Sequence, residues 1–345
     1  MSRRTLLIGC GNAGLLHEFD PKRRKPASLW GGMKAFPETF VPVGFCDQDP
    51  ERLADAGRLV PGVPLFRNGK EALESLAPEV VVIATWTESH PALFREALRS
   101  GVGGIILEKP VAKSLGEAEG MLRSWRQSPV PVVVNHERRW SPYYRKALRL
   151  LREGAIGNLR SAYGRIFLGF PPSSLLGLIR EKEGGGALLH DGTHLIDLFL
   201  WFFGSPLRVE GALVKERGGI DSQVTTLLRA PGNIPLVLES GGDRRFFEFR
   251  LDIEGSEGCL RIGNGCAEIW KAKESPRYSG YREVVQEPFP PLEGEAGALG
   301  FAGPFWELDR ALERGSVETF SSLEDGVRVL RVIDKIRKMG ERKRR

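Results

Sequence analysis

The sequence contains little cysteine and no long apolar run. Its four cysteines, Cys10, Cys46, Cys259 and Cys266, include no C-x-x-C pair, so neither a disulfide framework nor a cysteine zinc site is indicated. A reducing cytoplasm is therefore the expected compartment. The longest apolar stretch, residues 195–203, is much shorter than the roughly 20 residues that a membrane-spanning helix needs, so no membrane association is expected.

Most of the chain also lacks net charge. The formal charge of +6 equals that of residues 335–345 alone, which hold seven Lys/Arg and one Glu. Because a nucleic-acid-binding domain spreads basic charge over a face, a neutral body predicts no nucleic-acid partner. The basic end is expected to be a solvated, frayed terminus.

The 345 residues suggest two domains, at roughly 150 residues each. Residues 1–134 alternate short β-rich runs with helical stretches, which predicts an α/β domain with a doubly wound parallel sheet. Within it, 20–39 is expected to be a long loop near the ligand. Residues 135–320 hold consecutive β-rich segments, which predicts an α+β domain built on an open, largely antiparallel sheet. A helix at about 321–339 is a candidate to pack back on the first domain.

The first motif is a glycine turn, GCGNAG at residues 9–14. It matches G-x-G-x-x-G, follows a predicted strand and opens a predicted helix over 13–19, which is the context of a dinucleotide site. The next strand ends at Asp47, where a carboxylate would accept a hydrogen bond from a ribose 2′-hydroxyl and repel a 2′-phosphate. NAD is therefore predicted as the cofactor, ahead of NADP.

Two further segments follow predicted strands at the same edge of the sheet. The ATWTESH loop, residues 84–90, offers hydroxyls that bind phosphate or ribose, and a tryptophan that covers a cofactor. Its His90 alternatively caps a helix or packs. In the triplet Glu108-Lys109-Pro110, the lysine is suited to polarise or protonate a carbonyl. The candidate cofactor residues are Gly9, Gly11, Asn12, Ala13, Gly14, Asp47, Gln48, Thr85, Trp86, Thr87, His90, Glu108 and Lys109.

The densest polar cluster is GGGALLHDGTHLID, residues 184–197. In an α-helix His190, His194 and Asp197 lie on one face, and histidine is suited to proton transfer near neutral pH. Asp197 stands in an apolar run and should be paired. A histidine pair at this spacing can bind a metal, but the glutamate of H-E-x-x-H is absent and no cysteine is near. No metal is expected, and plain core histidines are the other alternative.

Together these motifs resemble the glucose–fructose oxidoreductase/inositol dehydrogenase (Gfo/Idh/MocA) family. NHERRW at 135–140 and EGAIGNL at 153–159 extend the resemblance over nearly the whole chain. It implies a Rossmann domain, an open-faced sheet domain that binds substrate and forms oligomers, and NAD(P)-dependent chemistry at a sugar or polyol carbon. It also implies that Lys109 is the catalytic lysine and His194 the catalytic histidine. The candidate substrate contacts are Lys109, Arg139, Trp140, His190, Asp191 and His194.

The sequence departs from the family pattern at one position. Members commonly have an aspartate four residues before the catalytic histidine, where this chain has His190 followed by Asp191. Either Asp191 takes that role, or His190 transfers the proton, or the chemistry has diverged.

The sequence thus predicts a hydride-transferring oxidoreductase for a sugar, inositol or related polyol. It is expected to form a homodimer or homotetramer. A non-catalytic NAD-binding sensor and an NAD-dependent glycosidase are the alternatives.

Overall fold

A computed structural model of the chain describes residues 2–169, 185–241, 244–292 and 300–342. The chain divides into two compact units, one formed by residues 1–140 with 299–330 and the other by residues 141–298 with 331–345. These limits differ from the predicted division at 134 and 320, because residues 135–140 and 299–320 belong to the first unit. The helix predicted at about 321–339 to pack on the first domain belongs to that unit as far as residue 330.

The first unit contains a six-stranded parallel sheet in the order β3-β2-β1-β4-β5-β6, which confirms the predicted doubly wound fold. The order reverses between β1 and β4, where sheets of this kind bind ligands beyond their carboxyl ends. The strands are β1 (Arg3–Ile8), β2 (Phe40–Cys46), β3 (Leu65–Phe66), β4 (Val80–Ile83), β5 (Gly104–Leu107) and β6 (Val132–Val134).

Several helices of this unit begin at capping side chains that the sequence shows. Asp49 caps α2, as predicted, and accepts hydrogen bonds from the amides of Glu51 and Arg52. Ser114 and Glu117 form a capping box at the start of α5. The helices are α1 (Leu29–Lys34), α2 (Pro50–Leu59), α3 (Gly69–Leu76), α4 (His90–Arg99), α5 (Leu115–Gln127) and, after the second unit's strands, Gly303–Glu313.

The connection between β1 and β2 differs from the prediction. The predicted helix over 13–19 is a turn followed by the 3-10 helix Leu16–Phe19, and the predicted loop over 20–39 contains α1. This helix is buried through Leu29, Trp30 and Met33, and the ring of Trp30 lies 5.2 Å from that of Phe45. Burial of these apolar side chains stabilises a helix where proline and glycine suggested a loop.

The helix α1 is bonded to the glycine turn although the two are distant in the sequence. The amides of Leu29 and Trp30 donate to the carbonyls of Ala13 and Gly14 at 2.9 and 2.8 Å. These bonds continue the ladder that begins where the amide of Leu15 donates to the carbonyl of Gly11. In the first crossover, the helical hydrogen bonds therefore begin at the glycine turn and resume at α1 after an inserted segment. Local sequence patterns do not reveal this arrangement.

The second unit contains an eight-stranded sheet in the order β14-β13-β12-β11-β7-β10-β9-β8. Its β7–β10 pair is parallel and the other pairs are antiparallel, which confirms the predicted largely antiparallel sheet. The strands are β7 (Leu159–Leu168), β8 (Arg208–Arg217), β9 (Ile220–Ala230), β10 (Ile234–Gly241), β11 (Phe247–Gly255), β12 (Gly258–Gly263), β13 (Cys266–Glu274) and β14 (Arg282–Glu287).

Helices cover one face of this sheet. These are α6 (Pro142–Arg152) and α7 (Thr193–Phe203), which follows a π-helical turn at Leu188–Gly192. A Cβ on Gly164 of β7 would lie 3.0 Å from side-chain atoms of Leu195 and Phe199, so the missing side chain lets α7 approach the sheet closely. Numbered in chain order, Gly303–Glu313 is α8 and Leu323–Arg342 is α9.

The basic C-terminus is helical as far as Arg342, so the prediction of a frayed end is wrong for residues 335–342. Gly340 is buried, and a Cβ there would lie 2.6 Å from Cγ2 of Val214. The last turn of α9 therefore packs on β8. Residues 343–345, the rest of the predicted tail, lie outside the described residues. Within the described ranges, no helix combines the length and apolar character needed to cross a bilayer.

The packing of Gly303 gives a test of the first unit. Its added Cβ would lie 2.1 Å from Cγ of Trp140, a side chain with no exposed surface. We predict that Gly303→Ala lowers the free energy of unfolding by about 1–3 kcal/mol, because overpacking displaces buried neighbours. The control is Gly116→Ala in α5, where nothing lies within 4 Å and a gain of about 0.5–1 kcal/mol is expected. Urea unfolding measures both; wild-type stability in Gly303→Ala would contradict the packing.

Candidate active site

The glycine turn follows β1, and the absence of side chains at its glycines exposes its backbone. Gly9 has φ +103°, and a Cβ there would lie 2.4 Å from the carbonyl carbon of Ala84. A Cβ on Gly14 would lie 1.9 Å from the carbonyl oxygen of Gly9. Neither position accepts a side chain, so the turn stays tight against the end of β4 and its backbone stays open to a pyrophosphate. The amides from Gly11 to Gly14 precede the first helical hydrogen bond, from Leu15 to Gly11, and such amides bind anions.

The carboxylate of Asp47 is buried beside this turn. It accepts hydrogen bonds from the amide of Cys10 at 2.8 Å and from the amide of Asp49 at 3.0 Å. A carboxylate offers about four acceptor sites, so these two bonds leave capacity for ribose hydroxyls. Gln48, the next predicted residue, is exposed, and its carbonyl accepts from Arg67 at 3.4 Å.

Arg52 also lies at the glycine turn, and sequence reasoning missed it. Its Nη1 is 3.2 Å from the position of a Cβ on Gly11, and its Nε is 3.4 Å from Asp49. A cation thus stands within the region where Asp47 was predicted to exclude a 2′-phosphate. The sequence did contain a signal for Arg52, because it lies in the first turn of α2, the helix that follows β2 and Asp47.

The loop after β4 holds the predicted residues Thr85, Trp86 and Thr87. The hydroxyl of Ser89 donates to Oγ1 of Thr85 at 2.7 Å and lies 2.9 Å from the carbonyl of Trp86. Thr85 and Trp86 keep partial exposure, whereas Thr87 is buried. The loop can therefore present the first two side chains to a ligand.

His90 does not take the predicted cofactor-binding position. It has no exposed surface, and its Nδ1 and Nε2 lie 3.0 Å from the carbonyl oxygens of Pro110 and Thr85, respectively. Burial lowers the pKa of His90 to about 4, so the ring is neutral at physiological pH. The packing alternative describes this histidine correctly, since a side chain without surface cannot contact a cofactor.

The carboxyl group of Glu108 is buried at the end of β5. It accepts from Nδ2 of Asn135 at 2.5 Å and from the amide of Lys109 at 3.1 Å. Burial raises the pKa of Glu108 to about 7. Asn135 lies at the end of β6 and was not among the predicted site residues. The backbone of Lys109 is thus fixed by the side chain that precedes it.

Arg139 and Trp140 occupy packing positions in the first unit. Nη1 of Arg139 donates to Asp325 at 2.9 Å and to the carbonyl of Phe320 at 2.6 Å. Trp140 has no exposed surface, and its ring lies 6.1 Å from that of Phe320. The prediction that they bind substrate is not supported, because the first is held in a buried ion pair and the second lacks access.

In the second unit, His190 and Asp191 lie in the π-helical turn. Nδ1 of His190 is 2.8 Å from Oδ1 of Asp191, and Asp191 is the more buried of the two. The prediction of one continuous α-helical face fails here, because a π turn has i→i+5 hydrogen bonds. His194 follows in α7, with its ring 6.2 Å from that of Phe249. Asp197 is buried, and Gly184, the first residue of this motif, lies outside the described residues.

Two residues that the sequence did not indicate hold this turn. Oδ2 of Asp221 accepts from the amide of Leu188 at 2.7 Å. Nη2 of Arg337 donates to the same carboxylate at 2.9 Å and to the carbonyl of Gly185 at 2.7 Å. Burial raises the pKa of Asp221, and Arg337 opposes that shift. The pair joins β9, α9 and the start of the π turn.

Lys109 lies in the first unit and His194 in the second, so their predicted joint action stays a prediction. Among the residues that the structure describes, no group of three or more His, Cys, Asp or Glu side chains is arranged to hold a metal ion.

Comparisons with known proteins identify the family. Residues 3–136 match the family model described as "Oxidoreductase family, NAD-binding Rossmann fold", and residues 144–261 match the "GFO/IDH/MocA C-terminal domain". Together these matches span well over half of the chain. The protein belongs to the Gfo/Idh/MocA oxidoreductase family, as the resemblance implied.

The curated relatives include sugar and inositol dehydrogenases. A D-apiose dehydrogenase of Paraburkholderia graminis is 30% identical over 64% of this chain, and one of Rhizobium rhizogenes is 27% identical over 64%. The matched regions span only 60% and 65% of those two relatives. The scyllo-inositol 2-dehydrogenase (NADP(+)) IolW of Bacillus subtilis is 22% identical over 85% of each chain.

Solved structures share the fold over nearly the whole chain. Levoglucosan dehydrogenase, in complex with NADH and levoglucosan, has a TM-score of 0.80 at 21% identity and covers 99% of this chain and 98% of its own. The WlbA dehydrogenase from Bordetella pertussis, in complex with NADH and UDP-GlcNAcA, has a TM-score of 0.76 at 19% identity and covers 99% and 97%. These likenesses confirm the two-part fold.

The buried Glu108 predicts a pH-dependent stability. Its pKa of about 7 exceeds the ordinary 4.5, so between these values the folded state holds a proton that the unfolded chain releases. Wild-type stability therefore falls as the pH rises through this window. We predict that Glu108→Gln removes up to about 3 kcal/mol of that dependence. Urea unfolding at about pH 5 and about pH 8 measures it. The exposed Glu74→Gln is the control, and parallel wild-type and Glu108→Gln profiles would contradict the assignment.

Proposed function

We propose that this protein is an NAD-dependent dehydrogenase or reductase that acts on a hydroxyl or keto carbon of a sugar, inositol or related polyol. The carrying observation is that the bare glycine turn, the carboxylate of Asp47 and Lys109 follow β1, β2 and β5, respectively. Parallel strands bring their carboxyl ends to one edge. The relatives' names, which include apiose and inositol dehydrogenases, support the substrate class.

NAD fits the residues of the first unit. The close contacts of Gly9 and Gly14 keep a backbone cradle for the pyrophosphate, and Asp47 offers acceptors for the adenosine ribose. Thr85 and Trp86 would border the rest of the cofactor, together with the backbone of Asn12 and Ala13. When bound, NAD supplies the acceptor for a hydride from the substrate carbon, and NADH the donor for the reverse reaction.

The chain's own residues then orient the substrate and move one proton. We assign Lys109 to the substrate oxygen, where its ammonium group stabilises developing negative charge. His194 takes the hydroxyl proton during oxidation and returns it during reduction. The 2.8 Å contact between His190 and Asp191 supports a third assignment. The buried Asp191 orients the His190 ring, so the two together replace the aspartate found in other members.

The central test removes the lysine and the histidine. Lys109→Met and His194→Ala should each lower kcat by about 10²–10⁴-fold while NADH still binds, because each removes a group that acts on the reacting atoms. The double variant should lose much less than the product of the two effects, since residues acting as a unit are non-additive. Turnover is measured on D-apiose, scyllo-inositol, levoglucosan and their keto forms, and NADH binding by tryptophan fluorescence.

The matched control is Lys70→Met, which removes an exposed lysine and should leave turnover unchanged. Full activity in His194→Ala would overturn its assignment and return it to a core position. Tight NADH binding with no turnover on the whole panel would favour the sensor alternative.

Cofactor preference tests the opposite effects that the charges of Asp47 and Arg52 would have on a 2′-phosphate. We predict that the wild type binds NADH more tightly than NADPH, and that Asp47→Asn moves the ratio of the two affinities toward NADPH by at least about tenfold. Asparagine keeps one of the two acceptor oxygens, for the Cys10 amide, and gives up the one for the Asp49 amide. It removes the repelling charge, while Arg52 supplies an attracting one. Adding Arg52→Ala should abolish the gain.

The control for charge alone is Glu51→Gln, an exposed residue in the same helix turn. Fluorescence titration measures all affinities. A wild type that binds NADPH as tightly as NADH would show that Asp47 does not select the cofactor.

We further propose that the protein is a homodimer or homotetramer in a reducing cytoplasm. The sheet face opposite α7 supports an oligomer, because Leu213 and Leu227 are exposed there and open sheet faces are commonly covered. Arg165 and Glu248 pair on the same face at 2.9 Å. The compartment is supported by four free cysteines.

A further inference from the structure

His90 lies between the two loops that carry the proposed cofactor and lysine contacts. It is the first residue of α4 and has no exposed surface. Its Nε2 is 3.0 Å from the carbonyl oxygen of Thr85, after β4. Its Nδ1 is 3.0 Å from the carbonyl oxygen of Pro110, which follows Lys109. One buried ring thus bridges the ends of neighbouring strands.

A neutral imidazole has one N–H and can donate to only one of these carbonyls. Burial keeps the ring neutral, and the charge of Lys109 acts in the same direction. The loop at Thr85 has its own support, because the hydroxyl of Ser89 bonds Oγ1 of Thr85 and the carbonyl of Trp86. Both distances are 3.0 Å, so the tautomer is part of the inference. We assign the proton to Nδ1, where it bonds the carbonyl of Pro110, because the loop at Thr85 is already held by Ser89.

The backbone of Lys109 is then held from both sides. Its amide donates to Oε2 of Glu108 at 3.1 Å, and Asn135 fixes that carboxyl group from β6. The carbonyl of Pro110 on the other side accepts from His90. A side chain that acts on a substrate oxygen needs its backbone fixed, since a displacement of about 1 Å can cost about 10²-fold in rate.

We propose that His90 is a positioning residue that sets the place of Lys109 through the hydrogen bond from Nδ1 to the carbonyl of Pro110. The proposal rests on the proposed dehydrogenase function. It assigns His90 no contact with cofactor or substrate. Loss of this bond should therefore lower kcat and leave the affinity for NADH and the KM for substrate nearly unchanged.

Three substitutions separate the two ring nitrogens. His90→Asn places an amide near Nδ1 and keeps the bond to Pro110, whereas His90→Gln places its amide near Nε2 and keeps only the contact with Thr85. His90→Leu removes both. We expect His90→Gln and His90→Leu to lower kcat by about 10–10²-fold, with His90→Asn within about threefold of the wild type. When His90→Gln or His90→Leu is combined with Lys109→Met, neither should cause a further loss of that size.

The matched control is His136→Leu. His136 is also buried in the first unit, but its Nδ1 lies 3.3 Å from the hydroxyl of Ser321 rather than beside the carbonyl of Thr85 or Pro110. This variant should lose stability and keep kcat. The proposal is overturned if His90→Leu turns over like the wild type, or if the His90 variants lose NADH affinity and kcat together as the fold weakens.

A measurement without turnover separates this proposal from the proposed function. ¹⁵N NMR of histidine-labelled protein resolves five rings, and His90→Asn identifies the signal of His90. The expected ring is neutral from about pH 5 to 8, with the proton on Nδ1. A ring that titrates near its ordinary value of about 6.5, or that carries its proton on Nε2, refutes the assignment even if no substrate is found. If the spectrum is as expected but no substrate on the panel is turned over, only the proposed dehydrogenase function is contradicted.

Discussion

Buried polar groups at the carboxyl edge of the parallel sheet must be hydrogen-bonded, and this constraint organises the candidate site. Such groups cost roughly 1–3 kcal/mol each when left without a partner. Asp47 meets the requirement through the amides of Cys10 and Asp49, Glu108 through Asn135 and the amide of Lys109, and His90 through a carbonyl of one neighbouring loop. In each case at least one partner is backbone that borders the proposed ligand. The bonds that stabilise the edge therefore also fix the loops that would contact cofactor and substrate.

This constraint changes how polar residues in the motifs are interpreted. A buried histidine in a loop motif looked like a cofactor contact, and an arginine and tryptophan after β6 looked like substrate contacts. In the structure all three side chains have packing roles, because His90 and Trp140 have no exposed surface and Arg139 is paired with Asp325. Burial was the missing information, and a motif does not state which of its polar residues face the ligand. Lys109 and Thr85 keep partial exposure, which leaves them suited to the roles assigned above.

Local chemistry predicted much of the fold, and long-range contacts account for the rest. Strand–helix alternation, the Asp49 cap and the glycine turn depend on neighbours in the sequence, and the structure contains each of them. The helix at Leu29–Lys34 depends on burial of Trp30 against Phe45 and on bonds to Ala13 and Gly14. Nothing near residue 29 shows those contacts. The partnership of Asp221 with Arg337 likewise joins β9 to the last helix, beyond the reach of periodicity.

The π-helical turn shows why such distant contacts matter for chemistry. A π turn is less favourable than continued α-helix and persists where the surroundings stabilise it. Here Asp221 binds the amide of Leu188, and the hydroxyl of Ser240 donates to the carbonyl of Ala187 at 2.8 Å. These two bonds from the sheet hold the start of the turn. His190 therefore contacts Asp191 and does not lie on a continuous α-helical face with His194. The departure from the family pattern is therefore more than an exchange of aspartate for histidine. A buried carboxylate now lies 2.8 Å from the imidazole of the residue before it, in a turn whose start is held from the sheet.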